Sequence, residues 1–407
     1  MRRVVVTGIG IWSCIGQDLQ TVTESLKQGR SGIIFDSKRR EYGHQSGLVG
    51  NVPVPDLKLF LPRKIRATMS EDAKYAYMVA RQAFEHAGIN DEYLRKNEVG
   101  IIWGNDGNSH LIEGAKIMEV AKSSLLFPYH YAFQSITSSA VLNLSSIFHL
   151  KGVNFGINAA CASSSHAIGV AKLFIESGMQ DVIMVGGSSE LAKENLMGVI
   201  NDAVNEQYIY NDAPTQASRP FDIGRAGVIS SGGAAALVLE EYEHAIERGA
   251  NIYAEIIGYG VASGGVEELY QANWESEYIS MKRAVENAQI DISDIDYINP
   301  HANSSKIGDP AEAKALTMLV GKHKIPISST ESMTGHEGWM SGASEAVYSI
   351  LMMQNNFIAP NLNLKQVIEE AKDLYIVGKT IYKNIQIILS NNAGVGAISS
   401  ALIFKKI

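Results

Sequence analysis

Size, composition and charge already exclude several classes of protein. The chain has 407 residues, 46% of them hydrophobic, and a net charge of -8, so it has enough apolar sequence for a large core and is ill suited to non-specific nucleic-acid binding. Its two cysteines form no disulfide framework or metal-ligand cluster, and no apolar run approaches the roughly 20 residues of a membrane helix, so we expect a soluble cytoplasmic protein without metal or membrane span.

Strands and helices alternate along the first half of the chain. Apolar, β-branched runs at 4–9, 99–104 and 181–187 predict buried strands, and an amphipathic pattern over 69–88 predicts a helix. The last of these strands directly follows a small-residue helix that begins after Cys161, which is typical of a βαβ unit in a parallel sheet. The pattern therefore indicates an α/β fold.

The second half continues the same alternation. Helices are predicted at 241–248 and 280–288, and strands at 234–240, 252–260, 297–301, 325–329, 386–390 and 401–404. Both halves carry a polar loop at the carboxyl end of a strand, which suggests a duplicated architecture around one continuous core. The stretch 105–136 is less regular and rich in aromatic residues, so we interpret it as a cap or interface insertion.

Cys161 lies where an apolar, strand-like run ends and the small-residue helix begins. A thiol in that position faces unpaired amide groups and the positive end of the helix dipole, an arrangement that favours the thiolate and suits a nucleophile. A free cysteine is more often a small buried hydrophobe, which is our interpretation of Cys14. Cys161 therefore needs partners from elsewhere in the chain.

Two histidines at strand-to-loop junctions are the candidate partners. His301 directly follows an apolar strand, and His336 precedes a helical run that begins near residue 341. Either histidine alone is more often structural, but with Cys161 they form a nucleophile with two hydrogen-bond donors, as thioester chemistry requires. The segment Ser-Asn-Asn-Ala-Gly-Val-Gly at 390–396 offers amides for half of an oxyanion hole, or is simply a tight turn.

Several motifs occur together in one order along the chain. They are Val-Val-Val-Thr-Gly-Ile-Gly at 4–10, Ala-Ala-Cys-Ala-Ser at 159–163, Ala-Ser-Arg-Pro-Phe-Asp at 217–222, Ile-Tyr-Ala-Glu-Ile-Ile-Gly-Tyr at 252–259, Gly-Asp at 308–309 with Glu312, and Met-Thr-Gly-His at 333–336. With these motifs the chain resembles, over nearly its full length, the elongating β-ketoacyl-ACP synthases of the thiolase-like superfamily.

The resemblance implies a thiolase-like fold, in which two similar halves form a five-layered αβαβα core. The N-terminal half, 1–250, would carry Cys161 and the cap or dimer insertion, and the C-terminal half, 251–407, would carry His301 and His336. The dimer partner would be an identical chain or a related synthase.

The resemblance also implies a reaction and a role for each site residue. Cys161 would accept an acyl group from acyl carrier protein, and malonyl carrier protein would then lose carbon dioxide and attack it. His301 and His336 would hydrogen-bond the malonyl thioester oxygen, while the amides of Cys161 and Ala393 would hold the acyl oxyanion. No metal or redox cofactor is implied. The 4'-phosphopantetheine is carried by the partner protein.

Binding of the carrier protein is expected at two places. Asn303 and Ser305 stand where related synthases have pantetheine-binding threonines. Arg63, Lys64 and Arg66 stand where relatives have a basic segment that docks the acidic carrier, although a solvated charge cluster is an equally good interpretation.

Glu331 departs from the family pattern. Relatives have a lysine there that pairs with the acid matching Glu312, so two carboxylates are expected to meet in this chain. Unless Lys306 or another cation intervenes, one of them should bind a proton.

A second departure concerns the acyl pocket. Ala393 and Val395 replace two phenylalanines, the first of which is a gate in relatives, and this change widens the pocket mouth. An altered, bulky or rigid acyl substrate is expected, as in polyene or other polyketide-like lipid assembly. Two alternatives to a condensing enzyme stay open: a non-catalytic partner in a heterodimeric synthase, which would usually lack the cysteine, and an acyltransferase that uses Cys161 with a different acceptor.

Overall fold

The computed structural model of the chain describes residues 2–107, 109–123, 125, 127–191 and 196–407. The elements up to the middle of the chain are β1 Val4–Trp12, α1 Leu19–Gln28, β2 Ile33–Phe35, α2 Ser37–Tyr42, β3 Leu48–Gly50, α3 Arg63–Arg66, α4 Glu71–His86, α5 Asp91–Lys96, β4 Gly100–Gly104, α6 His110–Ala121, α7 Tyr129–Gln134, α8 Ser139–Phe148, β5 Asn154–Ile157, α9 Ser163–Glu176, β6 Val182–Ser189, α10 Leu196–Val204 and β7 Gly233–Glu241. The remaining elements are α11 Tyr242–Glu247, β8 Ala254–Ser263, α12 Trp274–Ala288, β9 Tyr297–Asn299, α13 Gly308–Val320, β10 Pro326–Ile327, α14 Glu331–Thr334, α15 Ser341–Asn355, β11 Phe357–Ile358, β12 Tyr375–Ile376, β13 Ile381–Tyr382, β14 Ile387–Gly394 and β15 Ile398–Lys405.

Eleven strands form one sheet in which the same pattern of pairing occurs twice. In the first half β1 pairs with β7 and β7 with β6 antiparallel, and β6 pairs with β4 and β4 with β5 parallel. In the second half β8 pairs with β15 and β15 with β14 antiparallel, and β14 pairs with β9 and β9 with β10 parallel. Because only two residue pairs join β1 to β8, the sheet consists of two similar halves linked at a narrow junction.

The halves stack as five layers because each is covered by helices on both faces. Helices α4 and α8 cover the outer face of the first half, and α12 and α13 cover that of the second. Between the halves lie α9 and α15, and α15 is buried from Ser341 to Met353. The α/β, thiolase-like, five-layered αβαβα architecture that the sequence indicated is confirmed, whereas the boundary at residues 250 and 251 stays a prediction.

The two central helices approach each other at their N-terminal ends. A Cβ atom at Gly342 would lie 2.5 Å from the Cβ of Ser165, and the amide of Ala343 donates to Ser164 Oγ at 3.0 Å. Only a glycine permits this approach, since a methyl group there would overlap the neighbouring helix. The contact brings the segments that precede α9 and α15 to the same point.

Most predicted elements agree with the structure to within a few residues, with two differences. The strand predicted at 386–390 continues to Gly394 and pairs with β15 to that point, so of the segment 390–396 only residues 395 and 396 lie in the turn that follows the strand. The stretch 105–136 contains two helices, α6 and α7, although residues 108, 124 and 126 lie outside the described residues. Its role as a cap or interface stays a prediction. No helix within the described ranges is both long and apolar enough to cross a membrane.

Candidate active site

Cys161 lies in a strained turn immediately before α9. The preceding residue, Ala160, has a φ of 47°, in the left-handed region that residues with a Cβ rarely adopt. Asp106 Oδ2 accepts from the Ala160 amide at 2.8 Å, and Ser163 Oγ accepts from the Ala159 amide at 2.9 Å. These hydrogen bonds hold the thiol at the helix N-terminus, as the sequence predicted, with 5% of Cys161 exposed.

His336 reaches Cys161 from the loop between α14 and α15. The Cys161 Sγ and His336 Nε2 atoms are 3.0 Å apart. The loop is held by the His336 amide, which donates to the Ile229 carbonyl at 2.7 Å, and by Gly335, whose φ of 70° requires a glycine. Close packing of α9 and α15 therefore places the thiol and the imidazole in hydrogen-bond contact.

Glu331 contacts the other side of the same imidazole. Its Oε1 and Oε2 atoms lie 2.9 and 3.1 Å from His336 Nδ1, and Ser341 Oγ donates to Oε1 at 3.0 Å. Burial alone lowers the pKa of His336, but the charges of Glu331 and Cys161 and the hydrogen bonds to them raise it well above its usual value. The protonated form of His336 is accordingly favoured over that of a free imidazole.

His301 follows β9, and its pKa is shifted in the opposite direction. Burial lowers the pKa of His301 to about 4, since the opposing influence of Glu331 is weaker. Its Nδ1 lies 3.7 Å from Glu331 and 3.8 Å from Glu345, and Asn392 Nδ2 lies 3.5 Å away. A neutral ring that accepts from Asn392 carries its proton on Nε2. The two imidazole rings are 5.1 Å apart at an interplanar angle of 80°.

The first turn of α13 fixes the loop that carries His301. Glu312 Oε1 accepts from the His301 amide at 2.8 Å and from Asn391 Nδ2 at 2.7 Å, while Asp309 Oδ1 accepts from the Asn303 amide at 3.2 Å. Ser305 Oγ accepts from the Gly308 amide at 2.9 Å. Asn303 and Ser305 are thereby held beside His301.

The expected encounter of Glu331 with Glu312 does not occur. Glu312 accepts from backbone and amide groups, whereas the carboxyl group that faces Glu331 across His301 belongs to Glu345. Burial raises the pKa of Glu312 to about 8 and raises that of Glu345, which favours the uncharged form of each carboxyl group. Lys306 does not intervene, because it pairs with the exposed Glu206 instead.

One cavity joins most of the predicted site residues. Cys161, His301 and His336 lie at its inner end, Asn303 and Ser305 line its polar wall, and Ala393 lies beside the thiol. A Cβ atom at Gly394 would lie 3.2 Å from the Cys161 amide nitrogen, so the end of β14 runs directly past the nucleophile. The rest of the lining is largely apolar and includes Ile200, Val228, Leu269, Tyr270 and Ile307.

The basic segment is separate from this cavity. Arg63 and Lys64 are exposed on the short helix α3, and Arg66 is half-buried, with its Nε donating to the Leu61 carbonyl at 3.0 Å. Arg63 and Arg66 line a second groove together with Lys74. Their predicted role in carrier docking is untested by this geometry.

Sequence reasoning missed Glu345, Asn392 and Asp106. Asn392 donates to Glu345 at 2.7 Å and so supports the group that faces His301. The available signal for Glu345 was a single acidic residue in an otherwise apolar and small-residue helix. Asp106 gave no signal, because its partner is a backbone amide 54 residues away.

The site combines a cysteine at the start of a central helix with two histidines from the other half of the five-layered core. This combination defines an acyltransferase of thiolase-like fold. Two family profiles match the chain: "Beta-ketoacyl synthase, N-terminal domain" over residues 1–245 and "Beta-ketoacyl synthase, C-terminal domain" over 253–365. The chain belongs to the β-ketoacyl synthase family, and the prediction of a condensing acyltransferase is confirmed.

Individual relatives match over their whole length. The 3-oxoacyl-(acyl-carrier-protein) synthase 1 of Escherichia coli (strain K12) is 36% identical, with 100% of both chains covered. A β-ketoacyl synthase from Burkholderia phymatum STM815 superimposes with a TM-score of 0.94 at 33% identity, again with 100% of both chains covered. A type II polyketide synthase ketosynthase, solved in complex with its acyl-carrier protein, has a TM-score of 0.87 at 25% identity and the same full coverage.

The two imidazoles are expected to titrate differently. With a pKa of about 4, His301 should stay neutral from pH 8 down to pH 5, whereas His336, whose pKa is raised by Glu331 and Cys161, should take up its proton at a higher pH than a free imidazole. NMR spectra of protein labelled in the histidine rings, recorded against pH, measure both states. The His301→Asn and His336→Asn variants assign the two signals, and titration of both rings near pH 6.5 would contradict the assignment.

Proposed function

We propose that this chain catalyses the decarboxylative condensation of malonyl carrier protein with an acyl group held on Cys161. The observation that supports the proposal best is the convergence of Cys161, His301 and His336, whose sulfur and nitrogen atoms lie within 4.8 Å of one another at the inner end of one cavity. The E. coli relative is by name a synthase that acts on acyl-carrier-protein substrates.

The first half-reaction loads the enzyme. The Cys161 sulfur attacks the acyl thioester carbonyl, and the bond to the carrier thiol breaks. The amides of Cys161 and Ala393 stabilise the oxygen that becomes negative, because β14 runs directly beside the start of α9. The carrier thiol leaves through the channel past Asn303 and Ser305.

The second half-reaction forms the carbon–carbon bond. His301 and His336 donate from Nε2 to the thioester oxygen of the malonyl group, so the electron pair released with carbon dioxide forms a stabilised enolate. The enolate carbon attacks the acyl-enzyme and expels the Cys161 sulfur.

The route uses no metal or redox cofactor, because the thioester supplies the activation. The reduced thiol it requires fits a cytoplasmic location.

The acyl substrate is proposed to be bulky or rigid, as in a polyene or other polyketide-like pathway. Ala393 and Val395 contribute only small or aliphatic side chains to the cavity lining, which also includes Leu269 and Tyr270. A small side chain at the mouth admits a rigid conjugated chain that could not bend around a phenylalanine.

The carrier protein is proposed to dock on α3. Arg63 and Lys64 are exposed there, and Lys74 lies on the same groove, so the surface presents positive charge on a chain whose net charge is -8. A local basic surface guides an acidic partner by electrostatic attraction.

A dimer of two identical chains is proposed through β5. This strand ends the eleven-stranded sheet, and Asn154, Phe155 and Gly156 are exposed. An exposed strand edge is normally covered or paired, and pairing with a second copy would continue the sheet. A related synthase chain is the alternative partner.

Acyl transfer and condensation can be separated by intact-protein mass spectrometry. Incubation with saturated and polyunsaturated acyl carrier proteins should add one acyl group to the wild type and to Cys14→Ala, but not to Cys161→Ala. Malonyl carrier protein should then give carbon dioxide and a β-ketoacyl carrier, and His301→Ala should slow that step by about 10²-fold, the cost of losing one oxyanion donor. Acylation without elongation would instead indicate another acceptor, and no acylation would indicate a non-catalytic partner.

Reversing the charge of the docking segment should weaken carrier binding alone. Arg63→Glu with Lys64→Glu should raise the KM for acyl carrier protein about tenfold or more, more so at low salt, while leaving turnover of a small carrier-free thioester unchanged. The control is Lys322→Glu with Lys379→Glu, which changes net charge equally at two other exposed lysines. Equal KM values for the two double variants would contradict the docking site.

The oligomeric state tests the proposed interface. Light scattering should give twice the chain mass of 44.2 kDa for the purified protein. Phe155→Lys should shift the equilibrium towards the single chain, because a lysine on an edge strand opposes pairing, while Ile246→Lys on the exposed face of α11 should not. A single-chain mass for the wild type would contradict the homodimer.

A further inference from the structure

Three buried side chains form a continuous line of hydrogen bonds through the site. Cys161 Sγ lies 3.0 Å from His336 Nε2, and His336 Nδ1 lies 2.9 Å from Glu331 Oε1. Cys161, His336 and Glu331 are 5%, 3% and 1% exposed, so bulk water does not compete for these hydrogen bonds. The order of thiol, imidazole and carboxylate is the one in which a carboxylate orients a base for a nucleophile.

The glutamate at position 331 determines the protonation of the ring. Its carboxylate accepts from Nδ1 and is itself held by Ser341 Oγ. A lysine, the residue expected here from the resemblance, has only donors and could not accept from Nδ1. Nε2 is therefore the nitrogen that exchanges a proton with Cys161.

The charged and titratable groups around His336 are few. It faces Cys161, Glu331, His301 and Tyr270, and Glu331 is in addition near Glu337 and Glu345. Burial raises the pKa of Glu337 to about 7, and burial with the charge of Glu331 raises that of Glu345 further. Among the described residues no lysine or arginine forms an ion pair with Glu331. The protonated form of His336 is therefore the cation that balances it.

We propose that Cys161, His336 and Glu331 act as a catalytic triad, in which Glu331 is a positioning residue that holds the His336 ring with Nε2 towards the Cys161 sulfur. This inference rests on the proposed function. It gives His336 a proton-transfer role in the loading step, in addition to its hydrogen bond to the malonyl oxygen.

The proton balance of the cycle follows. The Cys161 thiolate forms the bond to the acyl carbon, the bond from that carbon to the carrier sulfur breaks, and the departing sulfur takes the proton of His336 Nε2. His336 is then neutral and regains one proton from solvent. The enolate attack that follows expels Cys161 as a thiolate, which restores the starting pair. One proton is consumed for each carbon dioxide released, as the overall reaction requires.

The test measures the alkylation rate of Cys161 by iodoacetamide from pH 5 to pH 9, with the labelled residue identified by mass spectrometry. A thiol with an ordinary pKa of about 8.5 reacts several hundredfold more slowly at pH 6 than at pH 9. For the wild type we expect a smaller difference than this, because the imidazole that Glu331 orients assists the reaction of the thiol. Glu331→Gln keeps the shape but loses the charge, and its rate at pH 6 should fall about tenfold or more.

Three further variants separate the triad from a general effect of the buried charge. Glu331→Asp keeps a carboxylate and should recover part of the rate at pH 6, whereas Glu331→Lys should not. Glu337→Gln removes a buried carboxyl group that bonds Tyr348 rather than His336, and it should leave the pH profile unchanged. Circular dichroism and thermal unfolding establish that each variant is folded.

The outcomes distinguish this inference from the proposed function. A profile that is the same in wild type and folded Glu331→Gln overturns the triad, whether or not the enzyme condenses its substrates. A profile that depends on Glu331 in a protein that acylates but does not condense supports the triad and overturns the proposed function alone.

Discussion

The close approach of the N-terminal ends of α9 and α15 is the constraint on which the site depends. Gly342 allows the contact, and the hydrogen bond from the Ala343 amide to Ser164 fixes it. Cys161 precedes one helix and His336 is near the start of the other, so the nucleophile and its partner meet only because the helices pack in this way. The surrounding sheets, which repeat one pattern of strand pairing, hold the two helices between them.

Burial divides the titratable groups of the site into charged and neutral members. His301 and His336 are close neighbours in different electrostatic surroundings, because only His336 has a carboxylate in direct hydrogen-bond contact. The protonated state of Glu345 and Glu312 keeps further negative charge away from the reacting atoms. The pKa values of the two imidazoles in one cavity are therefore shifted in opposite directions.

Two positions differ from what the family resemblance leads one to expect, and the fold accommodates both. Glu331 places an acceptor beside His336 where the resemblance implies a lysine, and Ala393 lines the cavity where it implies a phenylalanine. Both lie on elements held by the same backbone pairing as the rest of the core, since α14 precedes the His336 loop and β14 pairs with β15 up to Gly394. The chain therefore belongs to the β-ketoacyl synthase family and carries, at the two positions on which the proposals for thiol activation and acyl substrate rest, side chains that the fold accommodates.

The sequence by itself determined the fold class and most of the elements, and it singled out Cys161, His301 and His336, which the structure brings together. Apolar runs, small-residue helices and motif order are local patterns, so 4–9, 69–88 and the start of the helix after Cys161 were predicted to within a few residues. Only the tertiary structure determined which charged and polar side chains of the site are in contact. Glu331 faces His336 and Glu345 rather than Glu312, and Asp106 and Asn392 support the site through partners far away in sequence. Such contacts depend on how whole helices and strands pack, which no local pattern records.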